Sequence, residues 1–398
     1  MIKLKGKYSE GIVFTDQFEE SGIEQIQDLL DQPFSKNSNP RFMPDYHAGL
    51  GSVIGTTMLV KDEICPNLVG VDIGCGIRTE IFETPHKIDL KALDDHIRRN
   101  IPSGFKVHDK ERRMSYLDRL YMRNEIKDQS RIKKSIGTLG GGNHYIEIGK
   151  EENEGEYILT VHSGSRNLGL QVANYYQKIA ASLSKNEFNT SAEELVKMLK
   201  AQGREDEIAY ELKKLKENPI APKGLETLKN SDKWYYEYLH DMNVCVEFAL
   251  ENRAVMAEVI LDFLNPKRIK GFDTIHNYIE LEDEGNHILR KGAVAAYKGQ
   301  LLTIPMNMRD GILICEGLGN QDWNYSAPHG AGRLMSRNQA KEDITLKDYE
   351  ESMKGIFTTS VSKDTIDEAP FAYKPMEDII KHTKDTVKIL KRVKPIYN

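Results

Sequence analysis

Short apolar runs bounded by glycine predict strands over Ser52–Val60 and Ile77–Phe82, with Pro66–Gly76 as a structured loop between them. The spacing of Leu90, Leu93 and Ile97 predicts a helix over Ile88–Asn100. The glycines of Gly137–Gly142 lead into an alternating strand His144–Ile148, a turn near Asn153–Gly155 and a second strand Glu156–His162. That pattern is a hairpin with a histidine near each end. Leu168–Leu183 reads as a helix, and Ser191–Leu264 keeps helical periodicity except at Asn218–Gly224, so residues 184–264 are read as a helical insertion. Strands recur at Thr274–Leu281, Leu301–Ile304 and Ile312–Cys315. A helix is then expected over Gly332–Lys341 and a last one over Met376–Leu390, leading to a basic tail, Lys394–Asn398. The expected fold is α+β: one large domain over residues 1–398, with a central mixed β-sheet core, peripheral helices and the insertion.

Length and composition permit this, since 398 residues with 39% hydrophobic content can bury a large core. A net charge of -6 excludes a surface that is basic throughout, so any nucleic-acid contact must be a local patch. Phe105–Ser135, with ten Lys/Arg against five Asp/Glu, is the candidate, although a solvated helical face is the plainer account. There is no signal-like or membrane-length apolar run, so a cytoplasmic protein without a membrane role is expected. Four widely spaced cysteines (Cys65, Cys75, Cys245 and Cys315) argue against a disulfide framework and leave metal or thiol chemistry open.

The chemistry concentrates in a few segments. Asp72 and Cys75 lie among glycines that let the backbone turn two anionic donors toward one point. Alone they are weak evidence, but His144, His162 and His276 each fall at or near a predicted strand end. One carboxylate, one thiolate and three imidazoles could hold two ions if the thiolate bridges them, and the donor set suits zinc, manganese, iron or cobalt. A two-ion site makes phosphoryl or nucleotidyl transfer the natural reaction class, with phosphoester hydrolysis compatible with the same donors. His329 sits in a glycine-bounded loop at the start of a predicted helix, with Arg333 and Arg337 on one face, an arrangement that would bind phosphate. Gly137–Asn143 and Ser163–Gly169 offer further backbone donors without P-loop or dinucleotide spacing. These residues alone leave the cofactor unidentified.

The ordered segments MPDYHAGLG, VGVDIGCGI, GGGNHYIEI, VHSGSRNLG, HN, RKGA and SAPHGAGRLMSR, spanning Met43–Arg337, resemble the RtcB family of RNA ligases, and Asp367–Lys374 (DEAPFAYK) also fits. The resemblance implies sealing of RNA 2′,3′-cyclic-phosphate or 3′-phosphate ends to 5′-hydroxyl ends, with GTP and two divalent ions, normally Mn2+, Zn2+ or Co2+ being alternatives. It implies that Cys75 bridges the ions, with Asp72 and His144 on one and His162 and His276 on the other. By the same resemblance His329 accepts the guanylyl group and Asp45 orients it, His47 having a lesser claim. Asn143, Glu147, His276, Asn277, Pro305, Asn307, Asp310, Gly330, Ala331, Gly332 and Tyr373 fall at nucleotide-contacting positions, and Arg166, Arg333 and Arg337 at RNA-phosphate positions. A monomer is the expected state. This chain has PMNMRDG at Pro305–Gly311 where many members read PGSMG, and ends KPIYN in place of Lys-Gly; it departs from the family in the two regions that help bind guanine. A dinuclear phosphoesterase and a non-catalytic RNA-binding factor are the competing readings; the first needs only the metal cluster, and the second predicts eroded ligands.

Overall fold

Two large sheets share one long helix. The computed structural model describes residues 1–151, 155–217, 223–282 and 286–398. In chain order the strands are β1 (Ile2–Lys5), β2 (Glu10–Val13), β3 (Arg41–His47), β4 (Ile54–Val60), β5 (Glu63–Ile64), β6 (Gly76–Glu83), β7 (Tyr145–Glu151), β8 (Tyr157–Ser163), β9 (Leu228–Lys229), β10 (Lys267–Ile275), β11 (Asn277–Glu280), β12 (His287–Lys291), β13 (Ala293–Ala295), β14 (Leu301–Asn307), β15 (Gly311–Gly317), β16 (Ser326–Pro328) and β17 (Val387–Tyr397). The helices are α1 (Glu20–Leu30), α2 (Leu90–Asn100), α3 (Tyr116–Arg119), α4 (Gln129–Lys133), α5 (Arg166–Ala201), α6 (Ile208–Glu217), α7 (Lys233–Leu264), α8 (Arg337–Asp343), α9 (Leu346–Ser352) and α10 (Met376–His382).

The six-stranded sheet runs β1-β2-β3-β4-β12-β11 and is mixed, because β2 and β3 pair in parallel. The seven-stranded sheet runs β10-β6-β8-β7-β17-β15-β14, antiparallel at every pairing. The expected α+β core is thus divided between two sheets. Their seam is the predicted strand Thr274–Leu281, which breaks at His276: β10 ends in one sheet and β11 begins in the other.

Helix α7 covers both sheets. Its buried Tyr238, Met242, Cys245, Ala249, Met256 and Ile260 recur every three or four residues, the period that gives a helix one buried face, except that Asn252 takes the place of an apolar residue between Ala249 and Met256. Tyr238, Met242 and Phe248 join Leu168, Val172 and Tyr176 of α5 and Met58 and Val60 of β4 in one cluster. Met256 and Ile260 join Phe82, Ile148, Leu159 and, from α2, Leu93 and Ile97 in another. The helix stops at Asn265, held in a left-handed conformation (φ 44°). Residues 184–264 therefore contain two kinds of helix. The distal half of α5 and α6 lie largely exposed, whereas α7 is part of the core, and residue 184 falls inside α5. Of the interruption expected at Asn218–Gly224, only 223 and 224 lie within the described residues, as does only Gly155 and not residues 153 and 154 of the predicted turn.

The C-terminus differs from expectation. Helix α10 ends at His382, and Val387–Tyr397 is strand β17, between β7 and β15. The basic residues that read as a tail alternate with Val387, Val393, Pro395 and Tyr397, which are buried; the two-residue period was obscured by lysines on the exposed face. The β14–β15 hairpin packs tightly against this strand. Gly311 has φ +75°, and a Cβ there would lie 2.1 Å from the Val393 carbonyl oxygen. Gly311→Ala should destabilise the fold by about 1–3 kcal/mol, read as a lowered midpoint in thermal unfolding.

Candidate active site

Pairing register brings four of the candidate ligands together before any side chain is considered. Gly76 of β6 pairs with both Ser163 of β8 and Ile275 of β10, so Cys75 and His276 sit at the same end of adjacent strands. His162 pairs with Tyr145, which places His144 beside it. The His276 amide donates to the Cys75 carbonyl at 2.9 Å. Asp72 reaches the same point from the turn before β6.

The side chains converge. Cys75 Sγ lies 3.3 Å from His162 Nε2 and 3.4 Å from His144 Nε2. His162 Nε2 is 3.4 Å from His276 Nε2, and His144 Nε2 is 3.0 Å from Asp72 Oδ2. Two triads result, Cys75–His162–His276 and Asp72–Cys75–His144, each with its donor atoms within 4.8 Å of one another and sharing Cys75. The second ring nitrogens of two histidines are tied down: His144 Nδ1 to the Leu139 carbonyl at 2.9 Å and His162 Nδ1 to the Asn143 carbonyl at 3.1 Å. Such bonds fix Nε2 as the free donor. Burial lowers the pKa of His162 and of His276, keeping both rings neutral and able to ligate. Burial and the neighbouring Asp72 push the Cys75 thiol up. Burial opposes ionisation of Asp72 as well, but the His144 hydrogen bond and charge prevail and hold its carboxyl below the usual range. This buried His/Cys/Asp group is able to hold metal, and its two overlapping triads match the donor set expected for a pair of ions.

His329 stands at the six-stranded-sheet side. Its Nδ1 is 2.7 Å from Oδ2 of Asp45, a buried residue of β3, which also accepts from the Gly330 amide at 3.2 Å. With Nδ1 engaged, Nε2 is the nitrogen left for chemistry. The His329 ring centroid is 4.9 Å from that of His276. His47 turns Nδ1 to the Asp45 carbonyl at 3.0 Å, and burial depresses its pKa to about 4, leaving a neutral ring.

One expectation is corrected here. His329 follows the short strand β16, and helix α8 starts only at Arg337, so no helix N-terminus presents Arg333 and Arg337 beside it. Ser336, whose hydroxyl accepts from the Gln339 amide, caps the helix where Gly332 was expected to begin it. Arg333 donates to the Asp367 carbonyl at 2.7 Å and lies over the Tyr373 ring at 5.2 Å, while Arg337 pairs with Asp367 at 2.6 Å and with Glu368. Arg166 differs. It holds a left-handed backbone (φ 56°), a conformation that costs a non-glycine residue about 1–3 kcal/mol, and its side chain lies within electrostatic reach of Asp72 and Cys75.

The remaining candidates cluster unevenly. Pro305 adjoins Gly330, whose Cβ position is 3.3 Å from the Pro305 carbonyl oxygen. Ala331 is buried, and the Gly332 carbonyl accepts from the Lys374 amide at 3.0 Å. Tyr373 shares an apolar cluster with Met308, from the turn in which Asn307 Nδ2 donates to Asp310 at 2.8 Å. Asn143 is exposed. Asn277 donates to the Asp72 carbonyl at 3.1 Å and accepts from the Gly292 amide at 3.0 Å, so its side chain positions the ligand turn. Glu147, on β7, is buried with Oε1 lacking a hydrogen-bond partner, and burial raises its pKa to about 8.

Sequence reading missed Asn252, Arg253 and Lys374. Asn252 accepts from the Gly137 and Thr138 amides at 2.8 and 3.1 Å and donates to Ser163 Oγ and the Gly164 carbonyl at 3.1 and 3.2 Å. Arg253 donates to the carbonyls of Gly74 and Ser163, both at 2.8 Å, and to Asp273 at 2.9 Å. Lys374 Nζ donates to the carbonyls of Pro44 and Tyr46, at 3.0 and 3.1 Å, either side of Asp45. The available signal was a polar pair, Asn-Arg, on the apolar period of α7.

Two overlapping triads that could hold metal, beside a carboxylate-oriented histidine, define the class: a centre able to bind metal and suited to chemistry at phosphorus. The family model described as tRNA-splicing ligase RtcB matches residues 25–125 and 117–398, and the chain belongs to the RtcB family. The chain is 29% identical to the RNA-splicing ligase RtcB of Escherichia coli strain K12, with 87% of this chain and 86% of that protein covered. It is 26% identical to the tRNA-splicing ligase RtcB of Aeropyrum pernix, over 97% of this chain and 94% of that protein, and 25% identical to that of Pyrobaculum aerophilum, over 89% and 86%. Among the described residues no helix is long and apolar enough to cross a membrane.

Two outcomes are expected. Asn252→Leu strands buried backbone groups of two ligand loops and should cost more than about 2 kcal/mol in denaturant unfolding, with reduced metal content by elemental analysis. Glu147→Gln mimics the protonated acid. Because the folded pKa of Glu147 is raised to about 8 and the unfolded one is near 4.5, the wild-type contribution is full below pH 4.5 and lost as pH rises to about 8. The variant should therefore gain stability over the wild type across that window, by more than about 1 kcal/mol at pH 8, in paired thermal melts.

Proposed function

We propose that this chain is an RNA ligase that joins 3′-phosphate or 2′,3′-cyclic-phosphate ends to 5′-hydroxyl ends through guanylylation of His329 by GTP. The carrying observation is the 2.7 Å contact between His329 Nδ1 and Asp45 beside a two-triad donor set. A phosphoesterase needs the donors but not the oriented imidazole, and a binding factor needs neither. RtcB membership and the relatives' names support the same activity.

Asp45 holds the Nδ1 proton, leaving a lone pair on Nε2 and stabilising the positive charge that develops when the ring attacks. Nε2 of His329 attacks the α-phosphorus of GTP: an N–P bond forms, the bond to the bridging oxygen of the β-phosphate breaks, and pyrophosphate leaves. An oxygen of the RNA 3′-phosphate next attacks that phosphorus; the N–P bond breaks and a diphosphate links RNA to guanosine. The 5′-hydroxyl then attacks the RNA 3′-phosphorus, losing its proton to water, and GMP departs. A cyclic phosphate is first hydrolysed to the 3′-phosphate. Two divalent ions, Mn2+ by family likeness and Zn2+ or Co2+ by donor chemistry, would be held by Asp72, Cys75 and His144 and by Cys75, His162 and His276, and when bound supply the charge that stabilises the phosphates.

Gly330, Ala331 and Gly332, which follow His329, form the proposed nucleotide site with Pro305, which lies against Gly330, and Tyr373, which pairs with Arg333, and with Glu147, Asn143, Asn277 and the Asn307–Asp310 turn at its margins. Arg166 is the proposed first phosphate contact. Arg333 and Arg337 could serve only by exchanging Asp367 and Glu368 for phosphate. Four free cysteines fit a cytoplasmic setting.

Incubation with Mn2+ and α-32P-GTP should leave acid-labile, alkali-stable label on the wild type, none on His329→Ala, about tenfold less or lower on Asp45→Asn, and none on a metal-free Cys75→Ala. Unlabelled, metal-loaded wild type with every nucleotide would leave the phosphoesterase reading.

A further inference from the structure

The site has two ends, and the contacts between them run in order. The His329 ring meets His276, His276 meets His162, His162 meets Cys75, Cys75 meets His144 and His144 meets Asp72. Beyond Asp72 comes Arg166, whose guanidinium donates to the Gly104 carbonyl at 3.3 Å. The next residue, Phe105, is 93% exposed, the most exposed large apolar side chain among the described residues. Its loop is nevertheless fastened: the Gly104 amide donates to the Gly140 carbonyl at 2.6 Å, the Lys106 amide to Ser103 at 3.2 Å, and Arg131 to the Phe105 carbonyl. Gly140 belongs to the loop that delivers His144. A phenyl ring held in solvent by a fixed backbone, at the Asp72 end of the centre, is a face on which a base can stack without reordering the loop.

Charge identifies the ligand's class. Lys106 is next to Phe105 in the chain, and Arg131 and Arg166 bind the Phe105 and Gly104 carbonyls; Lys106 and Arg131 belong to the segment Phe105–Ser135, with ten Lys/Arg and five Asp/Glu in a chain of net charge -6. An exposed aromatic among cations is how single-stranded nucleic acid is gripped, bases on the ring and phosphates on the charges.

Geometry selects the strand. In displacement at phosphorus the attacking and leaving oxygens stand in line on opposite sides. GMP leaves toward the His329 side, so the 5′-hydroxyl must approach from the Asp72 side, where Phe105 lies. We propose that Phe105 is a stacking platform for the first base of the 5′-hydroxyl strand, with Arg131 and Arg166 holding its leading phosphates; this rests on the ligase reading above. Phe105 is a positioning residue for sealing and takes no part in forming the guanylyl-histidine.

The test uses the metal-loaded protein, GTP, a 3′-phosphate RNA and a 5′-hydroxyl decamer with 2-aminopurine as its first base. Phe105→Ala should raise the KM for the decamer about tenfold or more, while His329 is labelled and the RNA–guanosine diphosphate forms at wild-type rates and accumulates. Phe105→Trp should restore the KM and Phe105→Leu should not. Binding should quench 2-aminopurine with Phe or Trp at 105 and leave it bright with Ala or Leu. An unchanged KM in Phe105→Ala, restoration by Leu, or slowed formation of the RNA–guanosine diphosphate with an unaltered decamer KM would overturn the inference. Absence of label on the wild type would overturn the ligase reading first, and the inference with it.

Discussion

Everything at this centre depends on two adjacent polar side chains in the middle of an apolar helix. Asn252 and Arg253 leave the buried face of α7 and bind backbone groups of the Gly137–Gly142 loop, of Ser163–Gly164 and of Gly74. Those segments precede or follow His144, His162 and Cys75. Arg253 also holds Asp273, three residues before His276. Four candidate ligands from three parts of the chain are thereby referred to one rigid element. A buried guanidinium is costly unless paired, and here its partners are the segments that must stay still.

The second constraint is the seam between the sheets. The seven-stranded sheet carries the strand ends that offer Cys75, His144, His162 and His276, whereas the six-stranded sheet carries Asp45 on β3. His276 is common to both, since its amide binds Cys75 and its carbonyl accepts from Gly292 at 2.6 Å. Gly292 has φ +61°, and a Cβ there would lie 2.2 Å from Ile54 and 3.2 Å from the His329 ring. Only glycine lets the chain pass between the sheet edge and that ring.

Much of this was legible in the sequence because the chemistry is carried by residue types that are rare at strand ends. The hairpin bearing His144 and His162 was predicted within a few residues, and the donor set converges as expected. Legibility failed where the signal was relational. His276 interrupts a run that reads as one continuous strand, because nothing local marks a change of sheet. The Gly332–Lys341 helix was overextended because Arg333 and Arg337 fit a helical period, although Ser336 is the residue with a capping side chain. β17 was hidden by lysines on its exposed face. The clamp at Asn252 and Arg253 was passed over because a polar pair in a helix ordinarily faces water, and only tertiary packing turns it inward.

The division between the sheets also bears on how such a centre can work. Asp45, which orients the proposed nucleophile, and the strand ends that carry the donor triads belong to different sheets, so their separation is set by packing across the seam. His329 itself follows a short strand, so its hydrogen bond to Asp45 is what keeps the imidazole from drifting, and a displacement of about an ångström is enough to cost in-line chemistry two orders of magnitude. Anchoring Asp45 from both sides, through Lys374 on the Pro44 and Tyr46 carbonyls, removes that freedom on one face of the seam. Arg253 removes it on the other. The same rigidity reaches the outer rim, where the Gly104 amide is fastened to the Gly140 carbonyl at 2.6 Å and the Leu139 carbonyl holds His144 Nδ1 at 2.9 Å.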